Sequence, residues 1–171
     1  MILIVIMIKE LLANKRSSIL NKWVQSIIDS YPPETSKFLR SQKDRFSNPV
    51  GFAISNTAEN IFDEIINDNS DLEKIKLSLG DIIKIRAVQN FSPSSAVGFI
   101  FSLKKAVRDE LEAGLSEKKN IDELLNLESV IDRVALIAFD LYMEAKEKVF
   151  KIRVNEIKTG SFRAAPPVNE S

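Results

Sequence analysis

The stretch Ser92–Arg108 reads SPSSAVGFIFSLKKAVR, and it decides the fold class of this chain. Ser92 is a residue type that caps helix N-termini, and Pro93 suits the first helical position, where its missing N–H needs no partner. Residues 96–103 carry no charge, so a helix over them is apolar on every side and must be covered by other elements. The stretch therefore predicts one continuous central helix, ending near Gly114, in an all-α domain.

Composition limits the classes of function that the chain can serve. Its 171 residues, 44% hydrophobic and 28% charged, indicate a single globular domain with a real core. Lys plus Arg equals Asp plus Glu, 24 against 24, so no net field favours nucleic acid. The chain has neither Cys nor His, which removes thiol chemistry, the commonest general base, the commonest metal ligand and the usual haem ligand. We expect no enzyme, no metal and no cofactor.

Apolar residues recur at helical spacing along the whole chain, and no alternating strand pattern occurs. Asn48 before Pro49 predicts a capped helix start, and Gly160 predicts the end of the last helix. The pattern predicts a single domain of about six helices: 8–30, 33–43, 49–67, 72–89, the central helix, and 121–159.

The two ends of the chain are interpreted separately from the domain, which we place at residues 9–160. Residues 1–8 are almost wholly apolar but too short to cross a bilayer, and they lack the basic start and cleavage site of a signal peptide. Either these residues extend a buried first helix, or the true start is Met7 and residues 1–6 are translated upstream sequence. Export or membrane anchoring is the least favoured interpretation. We expect a cytoplasmic protein without membrane insertion, and a flexible tail at 161–171.

The predicted last helix is too long for the domain. Thirty-nine residues span about 58 Å, against about 30–40 Å for a domain of this size. A seven-residue apolar series runs along it and favours pairing with another helix. We expect the half before Tyr142 to pack on the core and the part beyond Ala145 to project, either pairing with a second copy or meeting a different protein. The residues predicted for such an interface are Ile131, Ala138, Ala145, Val149 and Ile152.

Four polar residues interrupt apolar surroundings and are the candidates for a ligand site: Arg45, Asn48, Arg86 and Gln89. One interpretation is structural, in which each arginine binds helix-end carbonyls or pairs with Asp44 or Asp81. The other is functional, in which the arginines line a pocket and hold a small anion or carboxylate, since a guanidinium offers a planar fork of donors. The carboxylates elsewhere are adjacent in sequence, point apart on a helix, and predict only a solvated surface.

The same stretches carry a resemblance to a known family, the N-terminal domain of RsbRD-type stress regulators, which are co-antagonists of the RsbT kinase. The Asp-Arg-Phe-x-Asn-Pro-Val-Gly run is its most specific part, and the likeness extends over about Leu11–Phe162. The segments that carry it are Tyr31–Thr35 with Phe38 and Leu39, Lys43–Gly51, Arg86–Ser94 and Arg153–Glu156. Members of this kind begin close to Lys9, which favours the start at Met7.

The resemblance implies an all-α sensor domain, globin-like but without haem, that dimerises through its final helix and precedes an output module. That module is a STAS domain in the regulators and a histidine kinase in some relatives, and neither is found up to Ser171. We expect a stand-alone, non-enzymatic signalling homodimer that binds a small molecule or an unidentified protein. The alternative is a structural adaptor subunit of another complex, such as a membrane-bound redox complex.

Overall fold

Helices account for nearly all of the residues that the structure describes. A computed structural model describes residues 2–41, 45–67, 71–111 and 118–163, and no strand occurs among them. The helices are α1 (Ile2–Asn14), α2 (Arg16–Asp29), α3 (Pro33–Ser41), α4 (Pro49–Ile66), α5 (Leu72–Val88), α6 (Pro93–Val97), a 3₁₀ turn (Gly98–Ile100), α7 (Ser102–Leu111) and α8 (Lys118–Arg163). The predicted all-α class and the long last helix are confirmed.

The predicted helix starts are confirmed by their caps. Asn48 is buried, its Oδ1 accepts from the N–H of Gly51 at 2.8 Å, and Pro49 follows as the first helical residue. The Asn48 Nδ2 donates to the carbonyl of Leu39 at 2.9 Å, so the cap of α4 also holds the end of α3. Ser92 caps α6 in the same way, through its Oγ and the N–H of Ser95.

The prediction of one continuous central helix was wrong, because this stretch is divided into α6, a 3₁₀ turn and α7. The carbonyl of Phe99 accepts from the Trp23 indole at 2.8 Å and from the Ser102 hydroxyl at 2.6 Å. These bonds occupy the carbonyl that a continuous helix would use, and Gly98 lowers the helix propensity at the same point. The uncharged stretch is largely covered as predicted, although Phe101 is exposed. The predicted end near Gly114 lies outside the described residues.

Other predicted boundaries also differ from the structure, since the first helix begins at Ile2 and not at residue 8, and the last begins at Lys118 and not at residue 121. The expected helix over 8–30 is divided at Lys15, which separates α1 from α2. The last helix does not stop at Gly160 but continues to Arg163, because one glycine costs only about 1 kcal/mol in an otherwise favourable helix. Residues 164–171 of the predicted tail lie outside the described residues, and the start at Met7 stays a prediction.

The core is built around α5, which makes its most extensive contacts with α8 and α4. Each of these helices turns an apolar stripe inward, as their sequence spacing predicts. The largest side chains that are almost wholly buried include Trp23, Ile27, Ile54, Phe62, Leu79, Ile82 and Tyr142. Arg86 is also 0% exposed, and no other charged side chain among the described residues is buried so completely.

Helix α8 has a buried first half and an exposed second half. Ile131 and Ala138 are 0% exposed within their own chain, so they cannot form part of an open surface between copies in this conformation. Ala145 and Val149 are half-buried, and Ile152 is exposed. The helix has 46 residues, about 69 Å at about 1.5 Å per residue, and nearly every residue from 150 to 160 is exposed. The expected packed half and projecting half therefore both occur.

The double role of Asn48 gives a test of the fold. Asn48→Ala should lower the free energy of unfolding by about 2 kcal/mol, because it removes a cap and leaves the buried carbonyl of Leu39 without its donor. Asp71→Ala removes only an exposed cap of α5 and should cost about 0.5 kcal/mol. Urea unfolding followed by circular dichroism measures both values.

Gly51 supplies the control for this prediction. An added Cβ at Gly51 would lie 2.2 Å from the Asn48 Nδ2, so Gly51→Ala should destabilise the native chain by displacing the cap. In the Asn48→Ala background the obstruction is gone, and alanine at 51 should be neutral or stabilising. Additive effects of the two changes would contradict the structural role assigned to Asn48.

Candidate functional site

The site around Arg86 begins with the way in which α5 ends. Gln89 is the C-cap, and the following Asn90 has φ 67°, the left-handed conformation that asparagine tolerates better than most residues. The N–H of Phe91 then donates back to the carbonyl of Arg86 at 3.2 Å. This Schellman-type reversal folds the chain back on α5 and brings the Phe91 ring onto the side chain of Arg86.

The guanidinium of Arg86 is held by two hydrogen bonds and three aromatic rings. Nη1 donates to the carbonyl of Ser95, and Nη2 donates to the hydroxyl of Ser30, both at 2.9 Å. The ring centroids of Tyr31, Phe91 and Phe99 lie 5.1, 4.8 and 4.7 Å from Cζ. We call this set the Arg86 cluster: Ser30, Tyr31, Arg86, Phe91, Ser95 and Phe99.

No carboxylate among the described residues forms an ion pair with Arg86. Burial lowers the pKa of its guanidinium from the ordinary value, with a smaller opposing effect from Tyr31. An arginine nevertheless stays protonated at neutral pH, so the cluster holds a buried cation whose stabilisation comes from ring faces and neutral oxygens. The Arg86 Nε and the Tyr31 hydroxyl are both buried and have no hydrogen-bond partner within the described residues.

The Arg86 cluster joins helices that are distant in sequence. Ser30 and Tyr31 close α2, whereas Ser95 lies in α6 and Phe99 in the 3₁₀ turn. The backbone of the cluster also receives bonds from outside it, because the Tyr142 hydroxyl of α8 donates to the carbonyl of Phe91. The cluster therefore holds the ends of α2, α5 and α6 together, and the bond from Tyr142 connects it to α8.

The four residues predicted for a ligand site do not line one pocket. Arg45 is exposed, stands 5.0 Å from the Phe52 ring centroid, and borders an open groove of about 610 Å³ between α4 and α5. Asn48 is buried and committed to its cap, whereas Gln89 is exposed. Arg86 binds a carbonyl, as the structural interpretation expected, but pairs with no acid in the described ranges, from which Asp44 is missing. Ligand binding by these residues stays a prediction.

A second candidate site lies in the seam between α5 and α8, and sequence reasoning missed it. It is a cavity of about 200 Å³ whose lining is mostly apolar, with charged side chains on its rim. The lining residues are Gly80, Ile83, Lys84, Val88, Leu141, Glu144, Ala145, Lys148, Val149 and Ile152. We call it the α5–α8 groove. Gly80 was noted in the sequence only as a weak point of α5, although a missing side chain facing a seam is the signal that could have found it.

Three residues predicted for a contact between copies also line this groove, and their contact with a second copy stays a prediction. Ala145, Val149 and Ile152 face α5 of their own chain across the cavity. An added Cβ at Gly80 would meet no atom nearer than the Lys84 Nζ at 3.9 Å, so the space beside it is open. An apolar cavity with a few charges at its rim is the usual form of a small-molecule site.

Neither a carboxylate metal site nor a membrane-spanning helix occurs among the described residues. No group of three or more Asp or Glu side chains is placed to hold a metal ion within the ranges that the structure describes. None of the helices in those ranges combines the length and apolar character that crossing a membrane requires.

Comparisons with known proteins place this all-α domain in one family. The model of the RsbT co-antagonist protein rsbRD N-terminal domain matches residues 17–157, and the chain belongs to this family. It is also 23% identical over 146 residues to an uncharacterized protein of Archaeoglobus fulgidus, covering 82% of this chain and 83% of that protein. No solved structure matches the chain, so the globin-like arrangement stays a prediction.

Replacement of Arg86 by lysine tests the role of its cluster. Arg86→Lys keeps the charge but loses the planar fork that reaches Ser95 and Ser30 together, so unfolding should become easier by about 2 kcal/mol. Gln89→Lys introduces the same residue at an exposed position one turn further on and should change stability by less than about 0.5 kcal/mol. Equal values for the two variants in urea unfolding would show that the fork does not hold the helices.

Proposed function

We propose that this chain is a non-enzymatic signalling module of the cytoplasm, which binds a small molecule and transmits its presence through α8. Membership of the rsbRD N-terminal family supports a regulatory role in a stress response. In keeping with that family resemblance, we propose that the module acts as a homodimer and meets a further protein. Its lack of histidine and cysteine supports a function without catalysis.

The observation that carries this proposal is the position of the α5–α8 groove. One wall belongs to α5, which also holds Arg86, and the other belongs to the part of α8 where the helix leaves the core. A molecule that binds there must contact both helices, so it changes the free energy of their packing. Because α8 is one unbroken helix to Arg163, a shift at Ala145 moves everything beyond it.

The rim of the groove indicates the class of ligand. Its interior surface is mainly aliphatic, from Ile83, Val88 and Leu141, so an apolar body of modest size fits it. Lys84 and Lys148 on the rim are cations, while Glu144 is an anion. We therefore propose a small, largely apolar molecule with one polar or anionic end at the rim.

Substitution of Gly80 tests the groove with a matched control. Gly80→Leu should fill the groove, whereas Gly80→Ala improves the helix propensity of α5 by about 1 kcal/mol without filling it. A library of small apolar acids and alcohols is screened against the full chain by thermal shift. We expect compounds that raise the Tm of the native chain and of Gly80→Ala by several degrees, and that leave Gly80→Leu unchanged.

The contrary outcome is equally defined. Compounds that stabilise Gly80→Leu as well as the native chain would bind elsewhere, and the groove would lose its assigned role. A library in which no compound raises the Tm of any of the three proteins would count against a small apolar ligand.

The adaptor function has an observation of its own, the exposed apolar side chains of α8. Leu136, Phe150 and Ile157 are each about two-thirds exposed, as expected for a surface that another protein covers. A constitutive adaptor would keep its protein partner at fixed stoichiometry in both the native chain and Gly80→Leu. A sensor would bind that partner to a different extent when the groove is filled.

A further inference from the structure

One flank of α8 carries a regular apolar series that the chain itself does not cover. Leu136, Met143, Phe150 and Ile157 follow one another at intervals of seven residues and are 67%, 49%, 67% and 68% exposed. Phe139 lies beside the first two and is 42% exposed. We call these five residues the α8 flank. Apolar residues repeating every seven positions form the contact seam of paired helices.

The α8 flank differs from the seven-residue series that the sequence first suggested. That series includes Ile131 and Ala138, which are buried against the chain's own core, and Ala145, which lines the α5–α8 groove. Leu136 is displaced from Ile131 by five residues, so it lies on another side of the helix. Helix α8 thus carries two seams, of which only one is occupied within the chain.

Charge changes sign along the length of α8 that carries the flank. Residues 136–147 contain three acidic side chains and one basic one, a net charge of −2, whereas residues 148–160 contain four basic side chains and one acidic one, a net charge of +3. In chain order the acids of the first part are Asp140, Glu144 and Glu147, beside Lys146, and the bases of the second are Lys148, Lys151, Arg153 and Lys158, beside Glu156. The helix is therefore acidic near the body and basic towards its projecting end.

We propose that the α8 flank binds the α8 flank of a second copy of this chain in antiparallel orientation. Antiparallel pairing about a midpoint between residues 146 and 147 sets Lys146 level with Glu147 of the other copy and Arg153 level with its Asp140, so charges of opposite sign meet. A parallel, in-register pair would set Lys146 against Lys146 and Arg153 against Arg153 of the other copy, and like charges across a seam repel.

The apolar positions agree with this orientation. A single midpoint, between Lys146 and Glu147, bisects both the pair Leu136 and Ile157 and the pair Met143 and Phe150. An antiparallel pair centred there brings Leu136 level with Ile157 of the other copy, and Met143 level with its Phe150. The surface is thus self-complementary, as a two-fold contact between identical chains requires.

This arrangement gives the orientation and the surface of the homodimer in the proposed function, and it therefore rests on that proposed function. The projecting end of each α8 would lie along the body of the other copy, next to the stretch of α8 that lines the groove. A ligand that shifts α8 in one copy would then change a surface on which the second copy rests. The two projecting ends would point in opposite directions.

Single cysteines test the orientation directly, because the chain contains none of its own. The variants Leu136→Cys and Ile157→Cys are treated with a short bismaleimide, separately and as a mixture. We expect a covalent dimer in the mixture and almost none in either variant alone, since two copies of residue 157 would be about 31 Å apart. Dimers in each separate variant would show parallel pairing and overturn the proposal.

Sedimentation of the full chain tests the surface itself. Phe150→Asp should weaken self-association at least tenfold, because it places a carboxylate in the centre of the flank. Leu77→Asp is the matched control, since Leu77 is 77% exposed and belongs to α5 and not to the flank, and it should leave association unchanged. Association of the native chain should also weaken as salt is raised, because opposite charges are screened.

The other outcomes separate this proposal from the proposed function. A native chain that stays monomeric at the highest concentrations reached overturns self-association, while the response of the Gly80 variants to ligands still tests the signalling role. A dimer that Phe150→Asp does not weaken keeps the homodimer but removes it from the flank. A monomer that loses a co-purifying protein only in Phe150→Asp assigns the flank to a different partner, and the proposal fails.

Discussion

The buried guanidinium of Arg86 is the constraint on which the arrangement of the helices depends. A cation that is removed from water must find compensation, and here it comes from two neutral oxygens and three ring faces, with no carboxylate paired to it in the described part of the chain. These groups come from three separate segments of the chain. The end of α2, the reversal after α5 and the start of α6 must therefore all be in place before the charge is stabilised.

Further bonds extend the same constraint to the rest of the core. The carbonyl of Phe99 accepts from Trp23, which fixes the 3₁₀ turn to α2, and the carbonyl of Phe91 accepts from Tyr142, which fixes the reversal to α8. On the far side of this reversal, the Lys146 ammonium donates to Asn90 at 2.8 Å. The helix that leaves the domain is thus held at two neighbouring turns, within the same stretch of α8 that lines the groove.

Local chemistry in the sequence was sufficient to predict the helices and several of their starts, because a cap such as Asn48 and a proline such as Pro49 act within one turn. The break at Gly98–Ile100 could not be predicted, since it depends on a bond from Trp23, which lies 76 residues away along the chain. The arginines show the same limit. Arg45 and Arg86 both interrupt apolar stretches, but only the fold decides that one lies at an open groove and the other inside an aromatic cage. Arg86 was expected to meet helix-end carbonyls, an acid or an anion, and it does bind a carbonyl. The rings that surround it were not expected, because they come from three separate segments.

Helix α8 shows that a repeat found in a sequence does not by itself say which surface the repeat forms. Periodicity alone gives a spacing and does not give the direction that a face takes relative to the core. Ile131 and Ala138 of one series are buried in the core. Leu136 and Phe150 of the other series are exposed. Because a helix is stiff, an apolar face that packs on α5 and another that faces outward cannot move independently. Any molecule that changes the packing of the first face changes the position of the second, and this coupling needs no catalytic group, cofactor or further domain.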